Sequence, residues 1–300
     1  MKILVSGSHG LVGKALTHSL TDDGHEVVRL VRRERSFGAP EVEWYPDQGR
    51  IDPQHLEGID AVVHLAGDNI AAGRWTGQKK RIIRESRVQG TTLLSETLAS
   101  LSRPPSTFIS ASAIGFYGNR GDETLTEKSP PGNDFLAKVC MDWEAATKSA
   151  VEKGIRTTHA RFGVILDANE GALAKMLPPF RASLGGKVGS GKQWVSWIAL
   201  ADVIGGLKFL LDDKSIDGPV NFVAPNPVTN AEFTSTLGRV ISRPTIFPMP
   251  AFAARLAFGE MADALLLSSQ RVDPAVLEDK GFLFSWPTLE PALKHILSAS

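Results

Sequence analysis

Three hundred residues, 42% of them hydrophobic and with no low-complexity tract, are enough to bury a full core in one large or two modest units. Basic and acidic residues cancel at 33 each, which removes the bulk charge that a nucleic-acid or anionic-membrane partner would exploit. The one cysteine, Cys140, rules out an internal disulfide and fits a reducing compartment; no run matches a signal-peptide core or a membrane span, so the expected setting is cytoplasmic.

The first predicted element is a strand. Lys2 to Ser6 is an apolar run, and Gly7, Gly10 and Gly13 follow it at intervals of three. Glycine at 7 permits a sharp turn off the strand, glycine at 10 lets backbone approach a pyrophosphate, and glycine at 13 lets the next helix pack on the sheet. That helix carries apolar residues at 11, 12, 15, 16 and 20 and would turn its free N–H groups toward the phosphates. Gly24 ends it, and Glu26 to Val31 reads as a second strand. Strand, glycine turn, helix and strand within about 30 residues make the dinucleotide-binding unit. An NAD site then places an acidic residue about 20 positions past the glycines. Here Val31 is followed by Arg32, Arg33 and Arg35. A carboxylate repels a 2′-phosphate whereas a guanidinium pairs with one, so NADP is the expected cofactor; arginines on a solvated loop are the alternative.

Val42 to Tyr45 reads as a short strand, and Asp60 to Gly67 as a strand ending in a turn whose small Ala66 and Gly67 let a cofactor approach. His64 lies inside this apolar run and reads as a satisfied core histidine. Thr76 to Leu101 has the spacing of a long helix, with Arg87 near its middle and within reach of the cofactor. Thr107 to Gly118 is a strand leaving into a glycine-bearing loop, which brings Ser110, Ser112 and Tyr117 to the same edge as Gly7 and Gly67. Ile155 to Leu166 reads as a strand that closes the core sheet, and Gly171 to Gly186 as a helix containing Pro178 and Pro179. The turn from Gly185 to Lys192 is not a Walker loop, because Gln193 stands where Ser or Thr is required; it reads as a loop over a substrate pocket lined by Gln193, Trp194 and Trp197. Asp202 is the expected cap of a helix from Val203 to Leu211. A strand from Gly218 to Ala224 and a helix from Asn230 to Ile241 follow, then short helices over 252–258, 274–280 and 289–297 that should pack on the core and roof the cleft. No histidine and cysteine cluster suggests a metal site.

The order and spacing of GSHGLVG, HLAG, SASAIGFYG, RFGVIL and GSGKQWVSWI, with the ending GFLFSWPTLEPALKHIL, resemble the extended and atypical short-chain dehydrogenase/reductases, in particular the epimerase-family proteins. The resemblance covers essentially the whole chain. It implies an α/β fold, a Rossmann doubly wound parallel sheet with a smaller, mostly helical C-terminal substrate lobe. Residues 1–166 would form the NADP-binding part, with 195–224 returning to it, and 167–194 with 225–300 the lobe. Carried over by position, Gly7, Gly10, Leu11, Val12 and Gly13 would meet the pyrophosphate, Val31 and Arg32 the adenosine ribose and its phosphate, Leu65 and Ala66 the adenine side, Arg87 the cofactor from the long helix, and Val164 and Ile165 the nicotinamide. Arg33 adjoins the phosphate position, and Gly67 adjoins the adenine-side turn.

Extended reductases use a tyrosine and, four positions on, a lysine that helps to lower the phenol's pKa. The matching helix runs from Asp134 to Glu144 and lacks this dyad. Aligned on Phe135, Val139 takes the lysine position; aligned on Glu144, the pair becomes Leu136 and Cys140. The remaining candidates are Ser112, which matches the serine that polarises a substrate oxygen, Tyr117, which fits the strand-end tyrosine, and Lys138, which could lend Tyr117 its charge or be a solvated surface lysine. The family's usual histidine is replaced by Ala199. The expected function is an NADP-binding oxidoreductase or epimerase acting on a small polar substrate such as a sugar nucleotide; the alternative is a non-catalytic NADP-binding sensor or regulator that has lost the dyad. By fold-level analogy, two copies could pair as a homodimer through the long helix that carries Arg87.

Overall fold

The computed structural model describes residues 1–298. Side-chain alternation sets the layering. In β1 (Lys2–Ser6), Ile3 and Val5 enter one hydrophobic cluster and Leu4 enters another, so the strand is buried on both faces, as a parallel sheet between two helical layers requires. Along the chain follow α1 (Leu11–Asp22), β2 (Glu26–Val31), β3 (Glu41–Tyr45), β4 (Arg50–Ile51), β5 (Ala61–His64), α2 (Gly77–Ser100) and β6 (Thr107–Ala113). Then come β7 (Thr124–Leu125), α3 (Phe135–Ala145), α4 (Lys148–Glu152), β8 (Arg156–Phe162), β9 (Val164–Leu166) and α5 (Gly171–Arg181). β10 (Trp194–Val195), β11 (Trp197–Ala199), α6 (Leu200–Asp212) and β12 (Gly218–Phe222) complete this part.

The main sheet has the order β12-β8-β6-β5-β1-β2-β3-β4 and is parallel except for the β3–β4 pair. Side chains of α1 and α6 pack on one face, while α2 and α4 pack on the other with α3 beside them. This is the doubly wound Rossmann arrangement, and its order reverses between β1 and β5, where such sheets bind ligands. Helix starts follow local chemistry: Thr76 Oγ1 accepts the Lys79 N–H ahead of α2, and the Asp134 carboxylate accepts the Ala137 N–H ahead of α3.

Three expectations are corrected. The strand expected over 155–166 divides at Gly163, where a Cβ would lie 2.6 Å from the Ser196 carbonyl oxygen and 2.7 Å from Val223 Cγ1. The chain leaves the sheet there, β9 pairs with β11, and β12 takes the edge that β8 was expected to hold. The helix expected to reach Gly186 ends at Arg181, just past two prolines that lack the N–H a helix needs, and Ser183 follows at φ +60°. Asp202 caps nothing: it sits in the first turn of α6, and its carboxylate accepts the N–H groups of Ser285 and Trp286 at 2.8 and 3.0 Å. The distant C-terminal segment offered two unpaired donors to a buried acceptor, a stronger demand than a helix end.

The rest of the chain comprises β13 (Val228–Thr229), α7 (Asn230–Val240), α8 (Ala251–Phe258), a π turn over Ala262–Leu266, β14 (Arg271–Val272), α9 (Ala275–Asp279) and α10 (Leu289–Ser298). Leu173, Leu177, Trp197, Phe233, Leu237 and Leu293 gather α5, β11, α7 and α10 around a separate cluster. The C-terminal segment meets the rest through Leu277, Phe282 and Phe284 in the main core, through the β14–β7 pair, and through side chains that bond main-chain atoms: Arg74 to the carbonyls of Leu256 and Ala257, Gln270 to those of Ile114 and Gly118, and Asp202 as above. Of the helices expected as a roof, α8 leaves Phe252 and Leu256 largely exposed.

Candidate cofactor site

The turn after β1 is built for close approach. Gly7 has φ +66°, and a Cβ on it would lie 2.8 Å from the Leu65 carbonyl carbon, across the gap between β1 and β5. A Cβ on Gly13 would lie 2.1 Å from the Gly7 oxygen, so only glycine lets α1 sit this close to the turn. The Gly10 N–H donates to the Gly7 oxygen at 3.0 Å, and no side chain caps α1, which leaves its first N–H groups for an anion. Leu11 and Val12 open the helix, and a Cβ on Gly171 would lie 3.4 Å from Leu11 Cδ2 and 3.8 Å from the Ile165 oxygen, so β9 ends close to the start of α1.

Beside this turn lies a pocket of about 600 Å³ lined by His9, Val31, Arg32, Arg33, Tyr45, Pro46, Asp47 and Gln48. The two arginines in it differ. Arg33 sends both guanidinium nitrogens to Glu41, at 2.9 and 2.8 Å, and Arg29 reaches the same carboxylate at 2.9 Å. The Arg33 hydrogen bonds, aided by the Ser36 N–H, hold the Glu41 carboxyl down at about 2. Arg32 is exposed and has no hydrogen bond or ion pair among the described residues.

At the end of β5, Leu65 and Ala66 are half-buried and Gly67 is exposed. Arg87 reaches this turn from α2: a Cβ on Gly67 would lie 3.3 Å from its Cζ. Its nitrogens donate to the Ile83 and Asp68 carbonyls at 2.9 and 3.0 Å, and its guanidinium lies 5.0 Å from the centre of the Trp143 ring. Burial lowers its pKa. His64 is fully buried and satisfied, with Ser6 Oγ at 2.6 Å and Thr91 Oγ1 at 3.0 Å, and burial pushes its pKa down to about 4.

Ser112 and Tyr117 stand at the end of β6, in one buried network that Lys138 does not join. Ser112 Oγ donates to Glu144 at 2.7 Å; Glu144 is paired with Arg161 through bonds of 2.8 and 2.8 Å; Arg161 donates to the Tyr117 hydroxyl at 3.0 Å. The phenol in turn donates to Asn221 Oδ1 at 2.7 Å. Tyr117 is fully buried, and desolvation outweighs the nearby Arg161 and pushes its pKa up to about 12. Lys138 is exposed on α3, while Leu136 and Cys140 face the strand end: a Cβ on Gly115 would meet Leu136 Cβ at 3.4 Å and Cys140 Sγ at 3.7 Å. The two side chains at the dyad positions of the Glu144 register are therefore a hydrocarbon and a thiol, and burial pushes that thiol up to about 12. Glu144, Arg161 and Asn221 were not singled out from the sequence, although an arginine inside the apolar strand RFGVIL signals a buried partner. Gln193 and Trp197 are buried: the Gln193 amide donates to the Val188 and Leu266 carbonyls, and Trp197 Nε1 donates to the Asn226 carbonyl.

A family model described as the NAD dependent epimerase/dehydratase family matches residues 3–223. The chain belongs to that family. A second model, for a domain of unknown function (DUF1731), matches residues 249–296. An epimerase family protein of Mycobacterium tuberculosis, MT2273, is 44% identical over 293 residues, which are 98% of this chain and 96% of that protein. The crystal structure of human epimerase family protein SDR39U1 (isoform 2) with NADPH superposes with a TM-score of 0.91 at 33% identity, covering 99% of each chain. The crystal structure of the nucleoside-diphosphate sugar epimerase from Corynebacterium glutamicum matches at 40% identity and a TM-score of 0.81; the match covers 100% of this family member and 58% of that longer chain.

Proposed function

We propose that this chain binds NADPH and works through that binding, without the tyrosine and lysine proton transfer of the extended reductases. The observation that carries the reading is Arg32, a cation with no partner among the described residues, on a pocket beside an uncapped helix N-terminus whose glycines leave room for a pyrophosphate. The NADPH in the human relative supports it. Residues 1–166 with 195–224 are the cofactor-holding part in this reading, and 167–194 with 225–300 the lobe that reports on it. A bound nicotinamide supplies a hydride donor. Ser112, Tyr117 and the residues packed at the strand end are not arranged to supply a matching proton: Ser112 donates its hydrogen to Glu144, Tyr117 is buried and donates to Asn221, and Leu136 and Cys140 are the α3 side chains that pack on Gly115.

A second reading, an NADP-dependent oxidoreductase or epimerase on a small polar substrate such as a sugar nucleotide, is favoured by Ser112 at the sheet edge and by the likeness to the Corynebacterium sugar epimerase. Calorimetric titration with NADPH, NADP, NADH and NAD tests the first reading. NADPH should bind well ahead of NADH, and Arg32→Ala should weaken it by roughly 10- to 100-fold, the value of a charge-assisted hydrogen bond. No dinucleotide binding, or an unchanged Arg32→Ala, overturns it. Transfer of deuterium from labelled NADPH to any member of a sugar-nucleotide and carbonyl panel would establish the second reading instead.

A further inference from the structure

The turn from Leu65 to Asp68 is held at four main-chain groups by side chains. Ser6 Oγ accepts the N–H of Leu65 at 3.0 Å and of Ala66 at 3.2 Å; Ser86 Oγ accepts the Asp68 N–H at 3.1 Å; Arg87 donates to the Asp68 carbonyl at 3.0 Å. A hydroxyl has two lone pairs, and Ser6 spends both on the turn. Its own hydrogen is therefore directed at His64 Nδ1, 2.6 Å away. This fixes the tautomer: Nδ1 accepts, and Nε2–H donates to Thr91 Oγ1 at 3.0 Å. Thr91 also receives the indole N–H of Trp143 at 2.9 Å, and the Trp143 ring lies beside the Arg87 guanidinium that holds the far end of the turn. Ser6, His64 and Thr91 are each fully buried. Polar groups in such a place are costly unless each is satisfied, and here they form one connected set around one turn.

We propose that Ser6 and His64 are positioning residues for the adenosine half of the cofactor, fixing the Leu65–Asp68 backbone against which that half is held. This rests on the NADPH reading above. It assigns Arg87 to the same task, since its guanidinium is committed to main-chain carbonyls.

The test measures binding of NADPH and of 2′,5′-ADP at a temperature where circular dichroism shows every variant folded. His64→Asn keeps an acceptor where Nδ1 stood; His64→Leu fills the space better and offers none. Positioning through Ser6 requires His64→Leu to weaken both ligands by about fivefold or more, the value of one hydrogen bond, and His64→Asn to weaken them less. A purely packing role gives the reverse order and overturns the proposal. Ser6→Thr should retain affinity and Ser6→Ala should lose it, which keeps the test sharp if His64→Leu does not fold; equal binding by the two Ser6 variants also overturns it. ¹⁵N spectra should show His64 protonated at Nε2, and the Nδ1–H form would refute the hydrogen-bond direction. If the wild type binds neither ligand, the NADPH reading itself falls, an outcome distinct from unchanged binding in the variants.

Discussion

Replacing Glu144 by glutamine should unsettle the whole edge of the sheet that carries Ser112 and Tyr117. The carboxylate accepts three hydrogen bonds, from Ser112 Oγ at 2.7 Å and from Arg161 Nε and Nη2 at 2.8 Å each. The paired side chains are only 12% and 4% exposed. Removing one charge from a pair this buried strands the other, at a cost of about 3–5 kcal/mol. Glutamine keeps one acceptor oxygen but turns an NH₂ toward a guanidinium N–H, so a loss of about 3 kcal/mol is expected, a large share of the roughly 5–15 kcal/mol a domain has. Urea unfolding followed by circular dichroism and tryptophan fluorescence measures it. Ser112→Ala, which removes one bond, should cost only about 1 kcal/mol. Glu144→Leu with Arg161→Met, an apolar exchange of the pair, should recover most of the loss. A glutamine variant within about 1 kcal/mol of wild type would show that water screens the pair and that it does not organise the strand end.

Acid should weaken the fold through His64. Its folded pKa is about 4, against about 6.5 for a free imidazole, so the unfolded chain takes up the proton first. That contribution is complete above about pH 6.5 and is lost as pH falls toward about 4, by roughly 3 kcal/mol in total. Stability curves measured between those limits should be flatter in His64→Asn, and identical slopes would count against the buried neutral imidazole. The chain has two tyrosines, so in a Tyr45→Phe background the phenolate absorbance reports Tyr117 alone. It should not appear at the usual phenol pKa of about 10; a titration there would mean that the hydroxyl is open to solvent.

What was legible in the sequence is local in origin. Gly7 and Gly13 follow one strand within seven residues, their demands are backbone sterics, and the structure shows a left-handed φ at Gly7 and approaches at both that a Cβ would forbid. His64 in an apolar run read as a core residue for the same reason. What was missed depends on partners brought in by the fold. Arg33 looked equivalent to Arg32 until β3 placed Glu41 beside it. Asp202 has a helix-cap signature, yet it serves N–H groups more than eighty positions away. Gly163 gave no periodicity signal, because the strand breaks where Ser196 and Val223 approach from other elements. The periodicity of α3 did not show which of its side chains face the strand end; the contacts of Gly115 are with Leu136 and Cys140.

Several hydrogen bonds that tie the C-terminal segment to the rest end on main-chain atoms, at Leu256, Ala257, Ile114, Gly118, Ser285 and Trp286. A peptide group is the same whatever side chain it carries. The sequence of α8, whose Phe252 and Leu256 are exposed, can therefore drift more freely than the 283–287 loop, where Phe284 and Trp286 also pack into hydrophobic clusters. Such a joint tolerates a change of surface on α8 more readily than a change of backbone path.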